Sequence, residues 1–311
     1  MSNHRILVVG SANIDLVTRV PRIPKPGESV IGTSFATFTG GKGANQAVAS
    51  ARLGAETCFA GCVGADAFGD MQRQNLQREG IDLRYLASHP SEPTGTAVIT
   101  VADNGENCIV VTPAANNGVT VAEVAKFEVD LASFDAVLLQ LEIPLDAVEA
   151  VLAAARKANV LSVLDAGPAQ HVHQRLIELA SIVTPNETEA EAMTGIAVTS
   201  VETARKAAGH LIEQGAREVV IKMGGGGAFY MSADEWLHVP AFDVTPIDTV
   251  AAGDAFTAAL AIQWSACSAL EAVRYANAAG ALATLTAGAQ PAMPSRGAVE
   301  KFLKERNAWK G

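Results

Sequence analysis

SIVTPNETEAEAMTGIAVTSVETARKAAGHLIEQGAREVVIKMGGGG, Ser181 to Gly227, contains the unit from which the fold is read. It begins with a short β-branched run, SIVT (Ser181 to Thr184), and closes with a second, EVVIKM (Glu218 to Met223). Between them Val201, Ala204, Ala208, Leu211 and Ile212 recur at the spacing of one helical face. A helix-period segment between two apolar runs predicts a strand, a crossover helix over Val201 to Gln214 and a parallel strand. Thr199 and Glu202 have capping-box spacing at the start of that helix, and Gly215 is placed to stop it.

The same alternation extends outward. RILVVG (Arg5 to Gly10), DAVLLQL (Asp135 to Leu141) and LSVLD (Leu161 to Asp165) read as further strands, so the body is α/β, with a central, mostly parallel sheet. Two regions break the rhythm. Val17 to Phe38 holds Pro21, Pro24, Pro26, Gly27 and Gly32 among β-prone residues, and Thr96 to Thr112 reads as two strands around Asn104-Gly105, a hairpin signal. These predict a small β-lid, from about 14–38 and 95–113, on a single domain spanning 1–311, since no repeat or low-complexity linker divides the chain.

Composition narrows the function. The 311 residues include 23 Lys+Arg against 33 Asp+Glu, a formal net charge of −10, with 49% hydrophobic and 18% charged residues. That is enough apolar material for a sizeable core and too little polarity for a disordered chain. The acidic excess argues against nucleic acid or an anionic membrane as partner, because both require a basic face. A phosphate ligand remains compatible, since backbone amides and a divalent cation bind phosphate locally. Met1 to Gly10 offers only a five-residue apolar run, too short for an export signal. The charge-free stretches Ala255 to Leu270 and Tyr275 to Pro294 are too rich in Ala, Gly, Thr, Asn and Gln for membrane spans and read as buried helices and loops. Cys58, Cys62, Cys108 and Cys267 lack zinc-ribbon pairing and are expected as reduced thiols in a cytoplasmic protein.

Four segments have the residue types for chemistry. GGKGANQAVA, Gly40 to Ala49, crowds glycines at the entry to an apolar helix; it matches neither G-x-x-x-x-G-K-[ST] nor G-x-G-x-x-G, because Gln46 takes the third glycine position. It is either a structural turn or a place where a ligand meets helix amides, with Lys42 and Asn45 as donors. DTVAAGDAF, Asp248 to Phe256, leads directly into a second apolar helix. Ala251, Ala252 and Gly253 leave its first amides unobstructed as an anion hole, and Asp254 is either a helix cap or a general base beside that hole. IKMGGGGAFY, Ile221 to Tyr230, ends a strand in four glycines that suit a tight hairpin or a bound phosphate or base equally. In PNETEAE, Pro185 to Glu191, Asn186 and Glu189 lie beyond a strand's carboxyl end, where ligands bind parallel sheets; a solvated acidic helical turn is the alternative. Asn13, Asp15 and Glu142, also near strand ends, suit sugar hydroxyls. His171-x-His173 sits in a loop-like context that argues against a metal pair.

Together GSANID, PGES, GGKGANQAVA, TGTAVI, GENCIV, LQLEIPL, TPNETEAE, DTVAAGDAF and GAQPAMP resemble, in order and over almost the whole chain, the ribokinase family of the carbohydrate kinase superfamily. The resemblance implies a three-layer Rossmann-like domain with a β-lid that clasps a second subunit into a homodimer, and ATP-dependent phosphorylation of D-ribose at its 5-hydroxyl. By position, Asn13, Asp15, Gly41, Lys42, Gly43, Asn45 and Glu142 would bind the sugar, and Asp254 would be the base beside the anion hole of Ala251, Ala252, Gly253 and its own amide. Asn186, Lys222, Gly224, Gly225, Gly227 and Asn277 would meet the nucleotide, and Glu189 would organise Mg2+ through water. K+ would lie among Asp248, Val250, Ala283, Thr286, Gly288 and Ala292. The chain departs from the family's pattern in places: Ala292 replaces a Ser, Lys222 a Thr and Asn277 a His of some members. Asp165 stands where an Asn is common, and either weakens nucleotide binding or pairs with Lys222. Rival expectations are a kinase for another pentose, a deoxyribose, a nucleoside or a ketohexose, and a non-catalytic sugar-binding protein, against which Asp254 beside an intact Ala-Ala-Gly argues.

Overall fold

The structure is a computed structural model that describes residues 4–306 and 308; the first three residues of the Met1 to Gly10 stretch and the end of the 1–311 unit lie outside the described residues. In chain order the strands are β1 (Arg5–Val9), β2 (Asn13–Val20), β3 (Ser34–Gly40), β4 (Glu56–Gly64), β5 (Asp82–His89), β6 (Gly95–Ala102), β7 (Asn107–Thr112), β8 (Ala136–Leu139), β9 (Leu161–Leu164), β10 (Ile182–Val183), β11 (Glu218–Lys222), β12 (Ala228–Ser232) and β13 (Trp236–Val239). The helices are α1 (Lys42–Arg52), α2 (Ala67–Arg78), α3 (Val121–Val124), α4 (Leu145–Ala158), α5 (Gln174–Leu179), α6 (Glu187–Thr194), α7 (Val201–Glu213), α8 (Ala252–Trp264), α9 (Ala269–Ala283) and α10 (Arg296–Glu305).

Nine strands form one sheet in the order β13-β12-β11-β10-β9-β8-β1-β4-β5, parallel except where β12 and β13 return antiparallel at one edge. Its central strands are apolar on both faces, as sandwiched parallel strands must be: Ile6 to Val9 and Val137 to Leu139 are fully buried. Alternation divides their side chains between two cores. Val9, Leu139, Leu164, Val183 and Ile221 pack with α4 and α7 on one face, and Val8, Leu138, Val163, Ile182 and Val220 with α1, α8 and α9 on the other. This is the expected three-layer α/β architecture.

The alternation also places the functional residues. At the carboxyl ends of β1, β8, β9, β10 and β11, the next residues on the α1/α8 face are Gly10, Gln140, Asp165, Thr184 and Lys222. They form a polar row along one sheet margin.

A second sheet, β3-β2-β6-β7, takes up the two aperiodic regions, with β2 beginning one residue before and β3 ending two residues beyond the expected 14–38, and with β6 and β7 paired around the Asn104-Gly105 turn. Helix α7 starts as expected, but its capping box is Ser200 with Thr203, not Thr199 with Glu202. The Thr203 hydroxyl accepts from both the Thr199 and Ser200 amides at 2.9 Å, which fixes the start one residue later, while Glu202 pairs with Lys206 at 3.7 Å. The four-glycine run is the β11–β12 turn. A Cβ on Gly227 (φ 89°) would stand 2.5 Å from the Ala241 nitrogen, so backbone packing explains that glycine.

Among the described residues no helix is long and apolar enough to cross a membrane. The two charge-free stretches are largely α8 and α9 with the loop that follows. Cys58 and Cys62 are buried in β4, and all four cysteines are free thiols. His171 and His173 lie in the loop before α5 with their rings 5.8 Å apart, edge to face.

Candidate active site

Two helix N-termini converge on the polar row. Helix α1 begins against the β1–β2 turn so closely that a Cβ on Gly43 would lie 2.6 Å from backbone atoms of Gly10 and Ser11, and only glycine fits. The Ala44 amide donates to the Ser11 carbonyl at 2.9 Å, tying the two segments. Helix α8 begins at Ala251, a non-glycine residue in the left-handed region (φ 59°), and no side chain caps it. That conformation costs on the order of 1 kcal/mol and leaves first-turn amides without an intrahelical partner, so the local structure favours an incoming anion over stability.

Asp254, in the first turn of α8, is 4% exposed and is no cap. One carboxylate oxygen accepts from Asn45 Nδ2 at 3.0 Å and the other from Gln46 Nε2 at 3.1 Å, so α1 fixes the orientation of the α8 carboxylate. Gln46 Nε2 also donates to Asp165 at 2.8 Å, and Gln140 Nε2 fixes the Gln46 amide by donating to its oxygen at 2.6 Å. Asp165, fully buried, holds Lys222 Nζ at 2.7 Å. Of the two expectations for Asp165, the ion pair is the one realised.

On the other flank, Glu142 accepts from Ser11 Oγ at 2.5 Å and from the Lys42 amide at 3.2 Å. Asn13 Oδ1 accepts from Asn116 Nδ2 at 2.7 Å, and Asn116 Oδ1 accepts from the Ala12 amide at 2.9 Å. These bonds set the β1–β2 turn that presents Asn13 and Asp15. The Asn45 side-chain oxygen, Oδ1, is buried without a partner, an acceptor turned toward no protein donor. A hydroxyl-bearing ligand satisfies such an atom.

Charge is concentrated here. Burial alone would lower the Lys42 ammonium, but Asp165, Asp254, Glu189 and Glu142 together raise it, so it stays charged. Burial pushes Asp254 up to about 6, against the opposing pull of Lys42. Asp15 rises to about 7, mainly through burial and further through Glu142 and Asp254. Carboxylates titrating near neutrality suit proton acceptance.

The other expected residues lie around this centre. Asn186 and Glu189 form the capping box of α6, and Glu189 is 3% exposed, not the solvated acid that was the alternative. Gly225 has open space where a Cβ would be, and Gly224 lies in the same turn. The Asn277 amide nitrogen donates to the Val239 and Pro240 carbonyls at 3.1 and 3.3 Å, which props the segment after β13. Asp248 accepts from the Val250 amide at 3.0 Å and the Gly288 amide at 2.8 Å, joining the loop before α8 to the loop that follows α9 and contains Thr286. Ala283 ends α9, and Ala292 is buried in the next turn. Sequence reasoning missed Gln46 and Gln140 as organisers of the Asp254 carboxylate; the available signal was their place, at a helix start and just past a buried strand.

The site has an uncapped helix start, a buried carboxylate beside it and acceptors for hydroxyls, the equipment of a phosphotransferase acting on a sugar hydroxyl. The chain belongs to the pfkB family of carbohydrate kinases, whose family pattern matches residues 3–296. It is 39% identical over 300 residues to a ribokinase of Haemophilus influenzae, covering 96% of this chain and 98% of that one. A deoxyribokinase of Salmonella typhi is 35% identical over 252 residues, covering 81% and 82%. The structure of Arabidopsis thaliana ribokinase complexed with ribose and ATP superposes with a TM-score of 0.89 at 33% identity, covering 97% of this chain and 99% of that one.

Proposed function

We propose that this protein transfers the γ-phosphoryl group of ATP to the 5-hydroxyl of D-ribose, giving D-ribose 5-phosphate and ADP. The observation that supports this most is Asp254, buried at an uncapped helix start and oriented by Asn45 and Gln46. Asn13, Asp15, Glu142 and the unpartnered Asn45 oxygen fit an array of sugar hydroxyls, with Gly41, Lys42 and Gly43 closing the floor. As the 5-oxygen bonds to the γ-phosphorus, the bond to the bridging oxygen of ADP breaks and the hydroxyl proton passes to Asp254. First-turn amides at Gly253 and Asp254 face the developing negative charge, beside that of Ala252, which here donates to the Thr249 carbonyl at 3.3 Å.

The nucleotide would extend past Asn186 and the Gly224–Gly225 turn toward Gly227 and Asn277. Among the described residues no group of three or more His, Cys, Asp or Glu side chains is set to hold a metal directly. Mg2+ would be held by phosphate oxygens and water, with the buried Glu189 orienting that water, and would neutralise phosphate charge. Asp248 fits a K+ site with carbonyls of Val250, Ala283, Thr286, Gly288 and Ala292, because both its oxygens already gather those loops.

The second sheet serves as the lid. One of its faces carries Asp15 beside the site, and Phe35, Val98, Ile109, Val110 and Val111 are 65, 48, 51, 59 and 46% exposed. Apolar exposure on both faces of a sheet fits burial by a partner, here the lid of a second copy in a cytoplasmic homodimer. Val110→Glu is expected to convert a dimer to a monomer by light scattering; a wild-type monomer overturns the clasp.

The acid limb of activity follows from the raised carboxylates. Asp254 as base and Asp15 as acceptor must both be ionised, so kcat/KM should fall as pH drops through about 7 to 6. In Asp15→Asn the limb should shift toward 6, and an activity flat from pH 8 to 5 overturns this assignment.

The test of the function is ADP release, read by chromatography, with Mg·ATP and D-ribose, 2-deoxyribose, fructose or adenosine, with and without K+. Turnover on ribose stimulated by K+ is expected. Faster turnover on 2-deoxyribose would replace the acceptor and keep the mechanism, and silence on all four would favour a binding protein.

A further inference from the structure

We propose that Lys222 acts on the phosphoryl group in flight: Asp165 holds its ammonium beside the α8 N-terminus, where it stabilises the charge that gathers on the transferred group. This deepens the kinase reading and rests on it.

Lys222 ends β11 on the α1/α8 face, two positions past the buried Val220, so alternation points it at the start of α8. A Cβ on Gly253 would lie 3.7 Å from Nζ. An oxygen accepting from the Gly253 amide therefore lies within the lysine's reach. The ammonium spends one of three donors on Asp165, at 2.7 Å.

Two further observations argue against a merely structural ion pair. Buried pairs rarely improve on apolar residues of similar volume, and this sheet fills its interior positions with Val, Ile and Leu. The Asp165 oxygen not facing Lys222 is bound by Gln46 Nε2, the same nitrogen that donates to Asp254. Lys222, Asp165, Gln46 and Asp254 thus form one chain of contacts that fixes a cation and a base at set positions. In phosphoryl transfer the negative charge of the transferred group is spread over its three equatorial oxygens as the hydroxyl gives up its proton, so a cation and a base so placed serve the same moment of reaction.

Lys222→Met removes the charge at similar length, and Lys222→Met/Asp165→Asn also removes the orphaned carboxylate, so a folding failure of the single variant leaves the question decidable. Both are expected to lose roughly 10²- to 10³-fold in kcat. Sugar affinity by calorimetry without nucleotide should stay within about threefold. Affinity for ADP with aluminium fluoride and Mg2+, a mimic of the phosphoryl in flight, should fall at least tenfold more than affinity for ADP alone. A double variant that folds and keeps wild-type kcat, or that loses ADP and ADP–fluoroaluminate affinity equally, overturns the role of the lysine and leaves the kinase reading standing. A wild-type protein that releases no ADP with any sugar overturns both.

Discussion

Asp254→Asn is expected to lower kcat by roughly 10²-fold or more, with the sugar dissociation constant changed by no more than a few-fold. The substitution keeps the shape and removes the proton acceptor. Asn45 and Gln46 each donate to one Asp254 oxygen, and an asparagine returns only one acceptor to them, so one contact is lost while a costly buried charge disappears. The fold should therefore survive, and a thermal melt beside the kinetics checks that it does. The residual rate should lose its acid limb near pH 6, because that limb belongs to the missing carboxylate. Unchanged turnover in a folded variant would falsify the assignment of the base.

Asp15→Asn should act in two opposite directions. A charged acceptor facing hydroxyls contributes about 1.5–3 kcal/mol, so KM for the sugar should rise roughly ten- to a hundredfold. Stability should increase. Asp15 ionises near 3.8 when unfolded and near 7 when folded, because burial, Glu142 and Asp254 all oppose its charge. The folded chain thus holds this proton more tightly, and stability is lost as pH rises from about 4 to 7, in full above 7. Asparagine removes that cost, which on a shift of this size is about 4 kcal/mol. Melting at pH 8 should move up by several degrees and at pH 4 hardly at all. A melting temperature that falls at pH 8 would show that the Asp15 carboxylate supports the fold.

Both predictions concern residues whose type and place were readable in the chain but whose environment was not. Asp254 after Ala-Ala-Gly was open between helix cap and base. Its bonds to Asn45 and Gln46, 209 and 208 residues away in sequence, show that it is not the cap and leave the base as the reading proposed here. The glycines of Gly40 to Gly43 were open between turn and ligand contact. The close approach of Gly43 to Gly10 and Ser11 shows the turn to be tight for packing, which in turn brings α1 to the site.

By itself the sequence determined the α/β alternation, the segments that build the second sheet and the order of the motifs, because periodicity and turn chemistry are local and a short window contains them whole. It also indicated Asp165 and Lys222 as departures from a familiar pattern. Only the tertiary structure decided that Asp165 and Lys222 pair, that Gln46 and Gln140 orient the Asp254 carboxylate, and that α7 is capped by Ser200. Those outcomes depend on which strand ends lie side by side and which face each residue takes, and that order, with β1 beside β8 and β9 beside β10, is set by long-range burial rather than by any one window of the chain.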